Sequence, residues 1–193
     1  MKLSKRGEYA LRSMINLGIA AKVGRPLVAV TALAKAEGLP LKFLEQIMQQ
    51  LRAGGFVESV RGKQGGYRLA QSADRMVIGQ IVRLVDGPLA PIGCVSQSAY
   101  APCNCPDEAH CGLRMLMLDV RNAIAGILDR YTLAEVVDVT TRKMIKSGRP
   151  LPFSGIASVS KSAQSKVSRV IARGARRVPA PGFIYQLLGS HAG

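Results

Sequence analysis

Tryptophan is absent from this chain, histidine occurs only twice, and aromatic residues make up 5% of the whole. A core must therefore be built from aliphatic side chains, which suits packed helices better than a β-sandwich. Two histidines leave little room for histidine-based acid–base chemistry. The chain also lacks a dinucleotide fingerprint, a metallohydrolase motif and a nucleophile–base pair, so an enzyme is not expected. No apolar run approaches the roughly 18 residues that a membrane-spanning helix requires. The apolar stretch near the N-terminus is interrupted by Glu8, Arg12 and Asn16, which argues against a signal-peptide core. The chain is read as cytoplasmic, with no membrane partner. Acidic residues are scarce as well: 12 face 27 Lys and Arg, for a net charge of +15, and none follows Asp138. Such a balance implies a polyanionic partner. Seven of the 27 cations lie from Ser147 onward, so residues 1–146 still carry +8.

What the chain does contain is organised. Residues 5–21 have helical apolar spacing through Tyr9, Leu11, Met14, Ile15 and Leu17. After the break "KVGRP", the segment "VTALAKAEGL" predicts a short helix closed by Gly38 as a C-cap. Pro40 suits the first turn of a further helix, "LKFLEQIMQQLRAGG", whose Leu44, Ile47, Met48 and Leu51 form one stripe. Two short helices joined by a tight Gly-containing turn have the helix-turn-helix layout. Next, "FVESV" (56–60) and "YRLA" (67–70) read as paired strands around the basic, glycine-rich loop "RGKQGG". The expected fold is mainly α: a winged helix-turn-helix with a small β-hairpin wing and a long C-terminal dimerisation helix. In such a fold the second helix enters the major groove and the wing meets the backbone or minor groove.

Residues 77–87 read as another helix. Residues 112–131 carry Leu113, Leu116, Val120, Ile124, Ile127 and Tyr131 at three- and four-residue steps, a stripe too long for a small winged helix to bury alone. That predicts a two-helix dimer seam. Residues 132–146 open with Thr132 and Glu135, a capping-box pair, and form a last helix. The expected division is a regulator domain over 1–146 and a basic, disordered tail over 147–193, with a possible basic helix at 161–177.

All four cysteines fall in one polar, proline-rich loop, 94–111. In a reducing compartment such clustering favours metal or redox chemistry over a structural staple. Thiolates hold iron–sulfur clusters and zinc alike, and a metal-free thiol switch has the same raw material. A thiol oxidoreductase is poorly supported, because the C-x-C pair is not the C-x-x-C that precedes a helix in such enzymes.

The segments "MKLSKRGEYALRSM" and "LKFLEQIMQQLRAGGFVESVRGKQGGYRLA", with a cysteine loop ahead of a long helix, resemble a family of bacterial regulators. That family includes the iron–sulfur cluster regulator IscR and the nitric-oxide sensor NsrR. The match runs in order over about 1–145. Its "VRGxxGGYxL" wing is fairly specific, and the basic tail lies outside it. The resemblance implies a homodimeric repressor on palindromic, double-stranded promoter DNA, tuned by an iron–sulfur cluster. By position, Phe43, Glu45 and Gln46 would sit on the reading helix and Arg61 would enter the minor groove. Lys42, Lys63 and Arg68 would neutralise phosphates, contacts that position without specifying. For the cofactor, a 2Fe-2S or 4Fe-4S cluster with zinc as the alternative, Cys94, Cys105 and Cys111 form the implied core set. The spacing departs from the family's C-x5-C-x5-C: Cys105 and Cys111 fit, whereas ten residues separate Cys94 from Cys105. Arg114 stands where IscR has a histidine ligand, so Cys103, ahead of Glu8 and His110, is expected to complete the site.

Overall fold

The structure is a computed structural model, and it describes residues 2–154. Six α-helices and one hairpin are laid out in the order α1 (Lys5–Lys22), α2 (Val30–Glu37), α3 (Leu41–Ala53), β1 (Val57–Val60), β2 (Gly66–Leu69), α4 (Ile78–Asp86), α5 (Gly112–Arg130) and α6 (Leu133–Lys146). The fold is thus mainly helical with a two-stranded wing, as expected. The candidate helix at 161–177 lies outside the described residues.

Local chemistry accounts for the helix ends. Ser4 caps α1 by accepting the Gly7 N–H at 3.0 Å. The Ser4 N–H in turn donates to Asp86 at the end of α4, at 2.8 Å. Gly38 closes α2 at φ 66°, a left-handed conformation that costs glycine little. Pro40 takes the N-cap of α3, one place before the first turn, and supplies no side-chain cap. Thr132 and Glu135 form the capping box of α6 in both directions.

Helix α1 is the hub, packing on α2, α3, α4, α6 and β2. The predicted α3 stripe of Leu44, Ile47, Met48 and Leu51 is fully buried, alongside Met14 and Leu17 of α1 and Leu33 of α2. β1 and β2 pair antiparallel, with Val57 opposite Leu69 and Val60 opposite Gly66. β2 gains a second partner from a single residue before α2. Tyr67 and Val28 exchange backbone hydrogen bonds of 3.0 and 2.8 Å. Gly66 allows that approach, since a Cβ there would lie 2.3 Å from the Val28 carbonyl oxygen. The wing is in this way tied to the base of the helix-turn-helix.

Helix α5 differs from the rest. It packs on α4 and on a short 3-10 turn at Gly93–Val95, and none of its 19 residues is buried. Ile124 and Leu128 touch the core edge, while Leu113, Met115, Leu116 and Ile127 are exposed by 47–58%. After α6, Leu151 and Phe153 also pack against the core.

Candidate DNA-reading surface and thiol pocket

The turn between α2 and α3 projects α3 at the surface, with its apolar stripe inward and its polar residues outward. Lys42 and Gln46 are exposed and Glu45 is half-buried. Phe43 turns back instead, meeting Tyr9 edge-on with ring centroids 6.0 Å apart. Gln46 is oriented by α1, because Arg6 Nη2 donates to its Oε1 at 2.9 Å. The wing tip carries exposed Arg61 and Lys63, and no ion pair among the described residues engages either. Gly62 turns the tip at φ 113°. Arg68 is less free, since its guanidinium bonds Glu58 across the hairpin at 2.7 and 2.9 Å. The geometry therefore brings Lys42, Glu45, Gln46, Arg61 and Lys63 to the surface as polar groups. It gives Phe43 a packing contact and Arg68 a carboxylate partner.

Sequence reasoning missed one feature behind this surface. Glu37, at the end of α2, is buried and pairs with Arg12 of α1 at 2.6 Å and with Asn16. Burial pushes its carboxyl above the ordinary value, against the pull of Arg12 and Asn16. The network fixes α2 on α1, and no local motif announces it.

The loop between α4 and α5 gathers all four cysteines around one cavity of about 310 Å³, with Arg114 and Leu113 also in its wall. None is disulfide-bonded. Cys94 is buried and the other three are half-buried. Cys111 is itself the N-cap residue of α5. The Cys105 and Cys111 Sγ atoms are 3.8 Å apart, and the Cys103 thiol lies 4.0 Å from Glu108 Oε2. Hydrogen bonding from Cys105 holds the Cys103 thiol below its ordinary value, while Cys103 and Cys111 together push Cys105 up to about 12. Desolvation by burial raises Cys94.

Of the other candidate ligands, His110 points to solvent, 83% exposed, with Nδ1 2.7 Å from Asp107. Glu8 sits on α1 with Lys5 at 2.7 Å and Arg12 at 3.7 Å. Neither lines the cavity. Among the described residues, no three His, Cys, Asp or Glu side chains are already drawn together as a metal-holding group. The donor set nonetheless fits a thiophilic metal or an iron–sulfur cluster, because four soft thiols line one cavity. A second unforeseen cluster borders the pocket. Tyr100 OH donates to both Glu108 carboxylate oxygens at 3.0 and 2.8 Å, and Glu108 lies 3.1 Å from Arg114 Nε.

A helix-turn-helix with a basic wing defines a DNA-binding regulator. The sequence profile of the Rrf2 family, described as an iron-dependent transcriptional regulator, matches residues 3–139, and the chain belongs to that family. An rrf2-like HTH-type transcriptional regulator of Rhodobacter capsulatus is 36% identical over 70% of this chain and 91% of its own. The HTH-type transcriptional regulator IscR of Photobacterium profundum is 30% identical over 71% of this chain and 76% of its own. The solved structure of CymR, the global cysteine regulator of Bacillus subtilis, superposes with a TM-score of 0.60 at 29% identity. It covers 72% of this chain and 98% of its own. This is a family of transcriptional regulators, not enzymes. No helix among the described residues is long and apolar enough to cross a membrane.

Proposed function

We propose that the chain represses transcription as a homodimer on double-stranded promoter DNA, and that its affinity is set by an iron–sulfur cluster, 2Fe-2S or 4Fe-4S, in the thiol pocket. The observation that carries this reading is the convergence of all four cysteines on one cavity whose last member caps α5. Cys94, Cys105 and Cys111 are the core ligands, and Cys103 is the fourth, because it lines the same cavity while Glu8 and His110 do not. The cluster, when bound, supplies a centre that oxygen, nitric oxide or iron shortage can disturb.

The protein's part is mechanical. Drawing the four thiolates together orders the loop and pulls on the first turn of α5 through Cys111. The exposed face of α5, with Leu113, Leu116 and Ile127, is the seam for a second copy. A change at that seam alters the separation of the two α3 helices, and so the fit to a two-fold operator. On each half-site Glu45 and Gln46 face base edges, Arg61 enters the minor groove, and Lys42 and Lys63 meet phosphates. Arg68 joins them only by giving up Glu58.

The test is anaerobic purification followed by iron, acid-labile sulfide and zinc analysis, paired with operator binding by the loaded and stripped forms. Equal iron and sulfide, with different operator affinities for the two forms, is the expected result. An iron-free, zinc-loaded protein, or forms that bind alike, would sink the sensing reading and leave a DNA-binding regulator with a structural site.

A further inference from the structure

We infer that Arg114 is the counter-cation of an all-thiolate site, its guanidinium offsetting the negative charge that Cys94, Cys103, Cys105 and Cys111 acquire when they bind metal. This rests on the metal-holding reading above and assigns a role to a residue that stands where a ligand would be expected.

Three observations converge on it. Arg114 lines the same cavity as all four cysteines. Its Nε is buried and finds no hydrogen-bond acceptor, although the Glu108 carboxylate is 3.1 Å away. The approach is close enough for an ion pair but misaligned for a hydrogen bond. Glu108 is itself held from the other side by Tyr100, with the Cys103 thiol 4.0 Å away. A buried N–H donor beside four thiols is thus left without an acceptor of its own.

The chemistry of arginine then narrows the role. A guanidinium stays protonated and has no lone pair to offer a metal, so Arg114 does not ligate. Four thiolates around a centre of charge +2, whether a divalent ion or an oxidised two-iron cluster, leave a net charge of −2. Isolating that charge among walls that include Ile92, Pro102 and Leu113 is costly, and a fixed cation at the wall offsets the cost. A histidine at this position would act by giving a lone pair; an arginine acts by charge, which a complete set of four thiolates needs and a three-thiolate set needs less. Presence of Arg114 and presence of a fourth cysteine are in this sense two halves of one arrangement.

A plainer role for the same pair is a latch in which Arg114 on α5 merely ties down the loop through Glu108. Both side chains are about 30% exposed, and ion pairs so placed contribute little. The two roles differ in sign at Glu108. For a latch, losing either partner is equally harmful. For a counter-cation, Glu108 is a competing anion, so its loss does no harm to the thiolates.

The experiment titrates the reduced, metal-free full chain with Cd(II) and follows the thiolate-to-cadmium charge-transfer absorption in wild type, R114Q, R114K and E108Q. Circular dichroism first establishes that each variant is folded. R114Q is expected to weaken Cd(II) binding about 10–100-fold, the range for losing a supporting contact around a metal site. R114K, which keeps a point charge, stays much closer to wild type, and E108Q binds as tightly as wild type or more so. Equal weakening by R114Q and E108Q overturns the inference in favour of the latch, and wild-type affinity in R114Q overturns it outright. A wild-type chain that takes up no Cd(II) instead overturns the metal-holding reading on which it rests.

Discussion

Helices α1 and α5 are nearly equal in length, at 18 and 19 residues, and the fold treats them in opposite ways. α1 buries Ala10, Met14, Leu17, Ile19 and Ala20 and touches almost every other element. α5 buries nothing, although Leu113, Leu116, Val120, Ile124 and Ile127 lie along one of its faces. The helix-turn-helix and wing are complete within one chain. Helix α5 instead leaves Leu113, Leu116 and Ile127 47–58% exposed. On the proposed reading, that division keeps the helix-turn-helix rigid and leaves the response to the part whose stability depends on what binds it.

The largest expected effect comes from truncating the two helices in parallel. Leu17 is fully buried, so Leu17→Ala should cost about 2–5 kcal/mol in urea unfolding. Leu116 is 47% exposed, and Leu116→Asp should leave the chain folded while converting a dimer to a monomer in sedimentation velocity. If Leu116→Asp unfolds the chain as Leu17→Ala does, α5 belongs to its own domain and the contrast collapses.

The same contrast governs how much was legible in the sequence. Gly38 and the Thr132–Glu135 box are local chemistry, decided within one helical turn, and both ends fall as read. The α3 stripe is buried as its spacing implies, because α1 and α2 supply its cover within the chain. The spacing of α5 is equally clear, yet periodicity says only that a face is apolar, not what lies against it. The Val28–Tyr67 bridge could not be foreseen, since one residue makes no alternation. Nor could the grouping of Tyr100, Glu108 and Arg114, which depends on how a loop without repeating structure folds back on itself. Arg114 was visible as a missing ligand. The burial of its Nε in the wall of the thiol pocket, which suggests a different use, was not.

A smaller effect separates reading from sensing. Arg61→Ala should cost about 1–3 kcal/mol at an operator if the wing reads a groove, and it should leave metal content unchanged. Lys63→Ala should weaken all sequences alike and reduce the salt slope by about 1. Fluorescence anisotropy with operator and scrambled duplexes at several salt concentrations distinguishes the two. Unchanged operator affinity in Arg61→Ala removes the wing assignment.

The smallest expected effect is a difference in how the two regions answer acid. Arg83 on α4 holds Asp129 of α5 through two hydrogen bonds, 2.6 and 2.7 Å long. Bonding from Arg83 lowers the Asp129 carboxyl below its ordinary value of 3.8. A carboxyl more acidic in the folded state contributes stability above its unfolded value and loses it as pH falls through the folded one. Glu37, joining α1 and α2, is raised above its ordinary 4.5 by burial. Its contribution is fully present below that value and is lost as pH rises through the folded one. Acid therefore weakens the attachment of α5 while relieving the strain at the reading head. Because Arg83 and Asp129 are 36% and 43% exposed, the α5 term should stay below about 1 kcal/mol. Hydrogen exchange read by mass spectrometry should show α5 amides losing protection before those of α1 and α2 as pH falls past 3.8, after correction for the intrinsic exchange rate. Asp129→Asn should flatten the α5 response. If α1, α2 and α5 lose protection together, the two regions form one cooperative unit and the division does not extend to their stability.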